Sequence, residues 1–431
     1  LKIHRLPQIA AALSLCLLVP QSVRAADPAP RLQLEKSVLL MRHGIRSPNQ
    51  TPEQLAKSAS RPWPAWPIGP GLLTERGESL LRSLGGWYRL HYADAGLLAE
   101  TGCPASGTVT NWSDNAAARI PLSGQALLDG LAPGCGLKVA FAPQTAPDAL
   151  FNPVGAGTCP IKAGLALKAV SKAAGGDLDR ASAKVRPALR QLQALLRVRS
   201  VAGCANGESS CGIDGLANVL GESPDGPKLE GGIARAATIS ENFLLAYADG
   251  RPEADIAWGE ATTPEALAEL APPRNLFLTL TRKPAYLAAR HMTSLGRAVL
   301  AELDGGAGAG NAARLVLFMG RDQHLAGMSG LLGIDWTLPG QPDAAAPGTT
   351  LAFERLRNPA NGEVYVRLKL WYQTLAQMRG NVKHDRATPP GELLLHVPSC
   401  AAQEIDGACP LPVLRARLEE AFAAECPIRT P

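Results

Sequence analysis

The stretch Ser37-Val-Leu-Leu-Met-Arg-His-Gly-Ile-Arg-Ser-Pro48 decides how the chain is read. Its first half, SVLLM, is a short apolar run of the kind that forms a strand buried on both faces. Its second half sets His43 between Arg42 and Arg46, just where that strand would end. An imidazole with an ordinary pKa of about 6.5 is disfavoured as a cation beside two guanidinium groups. Such a cluster is costly unless an anion shares the site. A second strand pattern, Arg314-Leu-Val-Leu-Phe-Met-Gly320, ends in Arg321-Asp322-Gln323-His324. In open α/β sheets ligands bind outside the carboxyl ends of the strands. Bringing the two ends together gives an imidazole, several arginines and a carboxyl group.

Between these strands the pattern alternates. Thr74–Leu98 carries Leu80, Leu81, Leu84, Trp87 and Leu90 at helical spacing, with Thr74 as its cap. TVTNWS, residues 108–113, reads as a strand, Arg119–Leu131 as a helix and Gly136–Ala142 as a further strand. From about residue 162 to 269 the chain is rich in Ala and Leu, with helical stretches at Arg186–Arg199 and Ile233–Ala248. After residue 280 come a helix in LGRAVLAEL, a linker in GGAGAGNAA, the strand 314–320 and an outer or edge strand at Val364–Gln373. This predicts an α/β fold. A doubly wound, mostly parallel sheet is flanked by helices and carries a smaller inserted, mostly helical domain. The expected boundaries are 26–159 with 280–431 for the α/β domain and 160–279 for the helical one.

Residues 1–25 combine Lys2 and Arg5, an apolar run from Ile9 to Val19 and small residues before Ala25, which predicts an export signal cut after Ala25. The apolar run is short for a membrane span, so no membrane association is expected after cleavage. Removing Lys2, Arg5 and Arg24 takes the net charge from +5 to +2. That near balance excludes nucleic acid as the main partner. Of nine cysteines, Cys16 lies in the signal and eight remain: Cys103, Cys135, Cys159, Cys204, Cys211, Cys400, Cys409 and Cys426. An even number in an exported chain points to disulfides, and none forms the CxxC pair of a zinc site. Spacing singles out only the two close pairs, 204 with 211 and 400 with 409.

The arginine-histidine cluster suits phosphoryl transfer. Guanidinium forks bind phosphate oxygens, a neutral imidazole attacks phosphorus and a carboxylic acid protonates the leaving alcohol. Arg42, His43, Gly44, Arg46 and Pro48 match every fixed position of R-H-G-x-R-x-P. With the later Asp322, the chain resembles the histidine acid phosphatases, closest to the bacterial periplasmic phytases and glucose-1-phosphatases. Stretches such as WPAWPIGPGLLTERG, DWTLPGQPD and QTLAQMRGN extend the resemblance over nearly the whole chain after residue 25.

The resemblance implies a transient phosphohistidine at His43, Asp322 as proton donor, and Arg42, Arg46 and Arg119 as phosphate ligands. It implies no metal or other cofactor. It also implies four bridges: Cys103–Cys135, Cys159–Cys426, Cys204–Cys211 and Cys400–Cys409. It places the protein in the periplasm, acting at acid pH on small phosphate esters such as phytate or sugar phosphates; the sequence leaves the oligomeric state open, with a monomer favoured. Two departures stand out. Arg321 occupies the place of the family's histidine, where a longer, always-charged fork would bind phosphate instead. Gln50 stands where phytases carry a lysine. Glu241 and His324 are further candidates for the substrate pocket, His324 with a rival reading as a structural helix-start residue. Trp63 and Trp66 read as loop packing or pocket wall. Three alternatives to a phytase follow: a glucose-1-phosphatase-like enzyme with little phytase activity, a phosphomutase, and a phosphate-ester binder whose turnover Arg321 impairs.

Overall fold

The computed structural model describes residue 1 and residues 32–198, 212–305 and 313–426. Residues 2–25 of the expected signal, residues 306–312 of the expected linker, Cys204 and Cys211 lie outside the described residues.

The decisive stretch forms β1, Gln33–Arg42. The other strands of the main sheet are β2, Val109–Ser113; β5, Leu315–Gly320; β6, Thr350–Arg357; β7, Val364–Tyr372; β8, Gly391–Leu395; and β9, Ala408–Pro410. Their order is β2-β5-β1-β6-β7-β8, with β9 also on β7. The half that carries both charged strand ends, β2-β5-β1, is parallel. β6, β7, β8 and β9 extend it antiparallel.

Alternate residues of β1 and β5 enter two different cores, which is why both read as continuous apolar runs. Leu39, Met41, Leu317 and Met319 pack on one face, with Leu81 and Leu84 of the helix Glu75–Asp94 and Leu127 of the helix Arg119–Leu131. Val38, Leu40, Val316 and Phe318 pack on the other, against the helices Ala285–Asp304, Asp322–Leu332 and Leu411–Ala421. The two helices of the first face touch closely. A Cβ on Gly85 would stand 2.1 Å from the Leu127 carbonyl oxygen, so only glycine permits this approach.

Two sequence expectations need correction. Gly136–Ala142 is not a strand; only Phe141 bridges to Ser113. Side chains take its backbone amides instead: Val139 N–H donates to Gln125 Oε1 at 3.1 Å and Ala140 N–H to Asn111 Oδ1 at 2.7 Å. Val364–Gln373 is not an edge, because β7 lies between β6 and the pair β8 and β9. Its alternation comes from charged residues paired across strands, Arg367 with Glu354 and Lys369 with Glu392.

Residues 160–279 hold the helices Ala163–Ala173, Leu178–Ala183, Arg186–Leu196, Gly232–Ala248 and Pro264–Leu270. They also hold an antiparallel hairpin of β3, Val219–Ser223, and β4, Gly226–Glu230, which was not expected from the sequence. Leu189, Leu192, Phe243 and Leu267 share an apolar cluster here. The helix Pro272–Arg282 runs across the expected boundary at 279/280. Among the described residues there are three disulfides, Cys103–Cys135, Cys159–Cys426 and Cys400–Cys409. No described helix is long and apolar enough to cross a membrane.

Candidate active site

Arg42 and Gly320 are register partners at the carboxyl ends of β1 and β5. The His43 amide donates to the Gly320 carbonyl at 3.0 Å, continuing the ladder one residue past the strand. The two motifs therefore leave the sheet side by side. Gly44 is demanded by the helix Glu75–Asp94, since a Cβ there would stand 2.7 Å from Leu81 Cδ1 and 3.0 Å from the Gly77 carbonyl oxygen. Its amide donates to Ser123 Oγ at 3.1 Å.

The His43 ring is 2% exposed. Its Nδ1 lies 2.8 Å from the Gly44 carbonyl oxygen. A carbonyl can only accept, so Nδ1 carries the proton and Nε2 keeps its lone pair. Arg119, at the start of its helix, donates from Nε to His43 Nε2 at 3.2 Å. Burial, then Arg42, Arg119 and Arg46, push the imidazole pKa well below its ordinary value. The ring is neutral. Burial, with Arg46, Arg42 and Arg321 nearby, lowers the Arg119 pKa to about 10.

Around the histidine, guanidinium and carboxylate groups interleave. Arg42 donates to Glu241 Oε1 at 2.5 Å and to Asp343 Oδ2 at 3.0 Å. Arg46 donates to Glu241 Oε2 at 2.9 Å. Arg274, in the helix Pro272–Arg282, pairs with Asp322, with Glu241 at 3.2 Å and with Asp343 at 3.8 Å. Burial raises the proton affinity of Glu241 and Asp322, but the arginines outweigh it and hold both carboxyls below their usual range.

His43, Asp322, Arg42, Arg46, Arg119 and Glu241 thus share one site. Arg321 adjoins it and turns its Nε to buried Asp114 Oδ2, 2.7 Å away. Its Nε and Nη2 atoms are both buried with no hydrogen-bond partner, so the Asp114 contact is an ion pair. His324 is structural. Its Nδ1 accepts from the Arg321 amide at 2.9 Å and its Nε2 lies 3.0 Å from the Phe151 carbonyl oxygen. Burial, then Arg321, pushes its pKa down to about 4. Gln50 Oε1 accepts from Asn242 Nδ2 at 3.2 Å. Trp63 and Trp66 both line a cavity of about 280 Å³ with Ser47, Pro48, Gln50 and Leu55.

Sequence reasoning missed Arg274, Asp343 and Asp114. Asp343 lies within DWTLPGQPD, a stretch that carried the resemblance; Arg274 and Asp114 are lone charges without a local pattern. Among the described residues no group of histidine, cysteine, aspartate and glutamate side chains could hold a metal ion.

A sequence model of the histidine phosphatase superfamily (branch 2) matches residues 33–197. The phytase AppA of Escherichia coli K12 is 32% identical over 425 residues, 96% of this chain and 98% of that one. A glucose-1-phosphatase of Providencia rettgeri is 24% identical over 92% of this chain and 94% of its own. The Hafnia alvei phytase in complex with tartrate superposes with a TM-score of 0.86 at 31% identity, covering 93% of this chain and 100% of that one. With His43, the arginines and the Asp322 carboxyl group gathered at the ends of two parallel strands, and relatives that match over nearly the whole chain, this chain belongs to the histidine phosphatase superfamily, branch 2, as a histidine acid phosphatase.

Proposed function

We propose that the protein is an exported phosphomonoesterase that hydrolyses phytate or sugar phosphates through a phosphohistidine. The observation that carries this reading is the His43 tautomer. Nδ1–H is committed to the Gly44 carbonyl, so Nε2 is the attacking atom. The transferring phosphoryl group lies among Arg42, Arg46 and Arg119, and displaces the Arg119 Nε–H from Nε2 as it enters. Nε2 forms a bond to phosphorus while the ester P–O bond breaks. The departing oxygen takes the bond's electron pair and a proton from Asp322. In the second step water attacks the phosphohistidine, its proton passes to the Asp322 carboxylate, and the N–P electron pair returns to Nε2. Inorganic phosphate leaves.

Arg321 supplies a further phosphate contact through Nη2, and the stretch 160–279 forms the opposite, helical wall of the site. The three bridges favour an oxidising compartment, consistent with a periplasmic location. A second reading favours sugar phosphates over phytate. Gln50 adds no charge beside the motif, and the cavity next to it is lined without a charged side chain, whereas phytate rewards additional cations.

The test is phosphate release near pH 5 with EDTA present, from phytate and from glucose 1-phosphate, by the wild type and by His43→Ala. Release that survives the chelator and vanishes in the variant is expected. A wild type that binds these esters and releases nothing would leave a binding protein.

A further inference from the structure

Arg274 is 5% exposed, yet neither the motif nor the phosphate clamp accounts for it. A buried guanidinium is tolerated only where anions surround it. Three do here, each from a different element: Asp322 at the first turn of the helix Asp322–Leu332, Glu241 in the helix Gly232–Ala248, and Asp343 in the loop before β6. The contact with Asp322 is the direct one, Nη2 to Oδ2. Asp322 Oδ1 meanwhile accepts from the Gln323 amide at 2.8 Å, so both carboxylate oxygens are held.

We propose that Arg274 is a positioning residue of the reaction: by pairing with Asp322 it orients the carboxyl group beside the site and sets the pH at which that group can donate its proton. The inference rests on the phosphatase reading above. Two steps make opposite demands on Asp322. Ester cleavage needs the acid and hydrolysis of the phosphohistidine needs the carboxylate. A cation fixed at Asp322 favours the carboxylate, so it assists the second step and confines the first to lower pH.

Other charged groups also face Asp322. Arg42, His43 and Arg46 come from the end of β1, Arg119 from its helix, Glu241 from the helix Gly232–Ala248, Arg282 from the helix of Arg274, and His324 from its own helix. All of these remain when Arg274 alone is changed. Of the cations, Arg274 is the one in contact. Burial raises the Asp322 pKa, and Arg274 leads the groups that bring it down.

The test compares Arg274→Gln and Arg274→Lys with the wild type on two substrates, 2-glycerol phosphate and p-nitrophenyl phosphate. The alkoxide of the first needs a proton to leave; the phenolate of the second needs little help. kcat/KM is followed from about pH 3 to pH 8. For 2-glycerol phosphate, Arg274→Gln should move the fall in rate on the alkaline side upward by about one pH unit, the lower end of the effect of a contacting opposite charge. The substrate's own ionisation is common to all variants and cancels. For p-nitrophenyl phosphate the limb should move less. Arg274→Lys keeps the charge and loses the fork, so its limb should stay near the wild type while kcat on 2-glycerol phosphate falls about tenfold. Equal losses on both esters with an unmoved limb in Arg274→Gln would reduce Arg274 to a structural residue and overturn the proposal. If Arg274→Gln does not fold, a shifted limb in Arg274→Lys would overturn it equally. A wild type without His43-dependent phosphate release would instead fail the phosphatase reading, and the inference with it.

Discussion

Arg119 Nε stands 3.2 Å from His43 Nε2. On the proposed mechanism, this guanidinium N–H engages the lone pair that attacks phosphorus. Burial and Arg42 do most to keep the imidazole neutral and Arg119 adds to them, so on the proposed mechanism Arg119 guards the nucleophile before it grips the substrate. Replacing it should therefore harm more than binding. For Arg119→Ala, kcat/KM on a phosphomonoester near pH 5 should fall by about 10²–10³, the scale of losing one donor from a transition-state clamp. Arg119→Lys should recover part of it. A loss in Arg119→Ala confined to KM, with kcat unchanged, would remove the guarding role.

Arg321 forms an ion pair with Asp114 through Nε, while neither its Nε nor its Nη2 has a hydrogen-bond partner. Arg321→Ala should raise KM for phosphate esters and lower kcat/KM by roughly tenfold to a hundredfold, the worth of a hydrogen bond to a charged group. Asp114→Asn leaves the half-buried Arg321 guanidinium without its carboxylate partner. It should lower the melting temperature as well as kcat/KM. Steady-state kinetics and thermal unfolding of the two variants separate these effects. A melting temperature in Asp114→Asn equal to that of the wild type would contradict the anchoring.

Gly85 couples stability to the site. An added methyl would meet the Leu127 carbonyl oxygen and part the helix Glu75–Asp94 from the helix Arg119–Leu131. Gly85→Ala should destabilise the fold by about 1–3 kcal/mol. Because Arg119 begins the displaced helix, kcat should fall in the fraction that remains folded. Urea unfolding and activity titrated against folded protein would check both. An intact kcat with lowered stability would uncouple the helix pair from the chemistry.

His324 gives a pH dependence with a definite sign. Its folded pKa of about 4 lies below the ordinary value of 6.5. The unfolded chain therefore takes up a proton on this residue first as pH falls. The stability held by neutral His324 is complete above about pH 6.5 and drains away down to about pH 4. The loss is on the order of 3 kcal/mol. Asn at this position makes fewer of the two backbone hydrogen bonds but does not titrate. His324→Asn should melt below the wild type at pH 7, with the gap narrowing at pH 4.5. A gap that widens on acidification would refute the assignment.

The fold and the motif residues were legible because each is a local pattern. Arg119–Leu131 has an apolar face at helical spacing, and β1 and β5 are apolar runs that stop at charges. Gly136–Ala142 misled because apolar content says nothing about who takes the backbone amides, here Gln125 and Asn111. Val364–Gln373 misled because cross-strand ion pairs produce the same alternation as an exposed edge. Arg274, Asp343 and Asp114 were illegible for a different reason. Each is a single charged residue whose meaning lies in a partner from another element. Asp343 meets Arg42 across 301 positions of chain.

That distance also bears on how the protein becomes active. Arg42 and His43 are synthesised early, whereas Gly320, Asp322 and Asp343 follow most of the chain later. The first of the parallel strands waits for its neighbour, and the arginines wait for the carboxylates that neutralise them. Contacts of this span form late and slowly. A disulfide joining residues 159 and 426 can close only once residue 426 has been made. Appearance of phosphatase activity would therefore mark the end of folding, and a chain truncated before Asp343 should carry the full histidine motif and hydrolyse nothing.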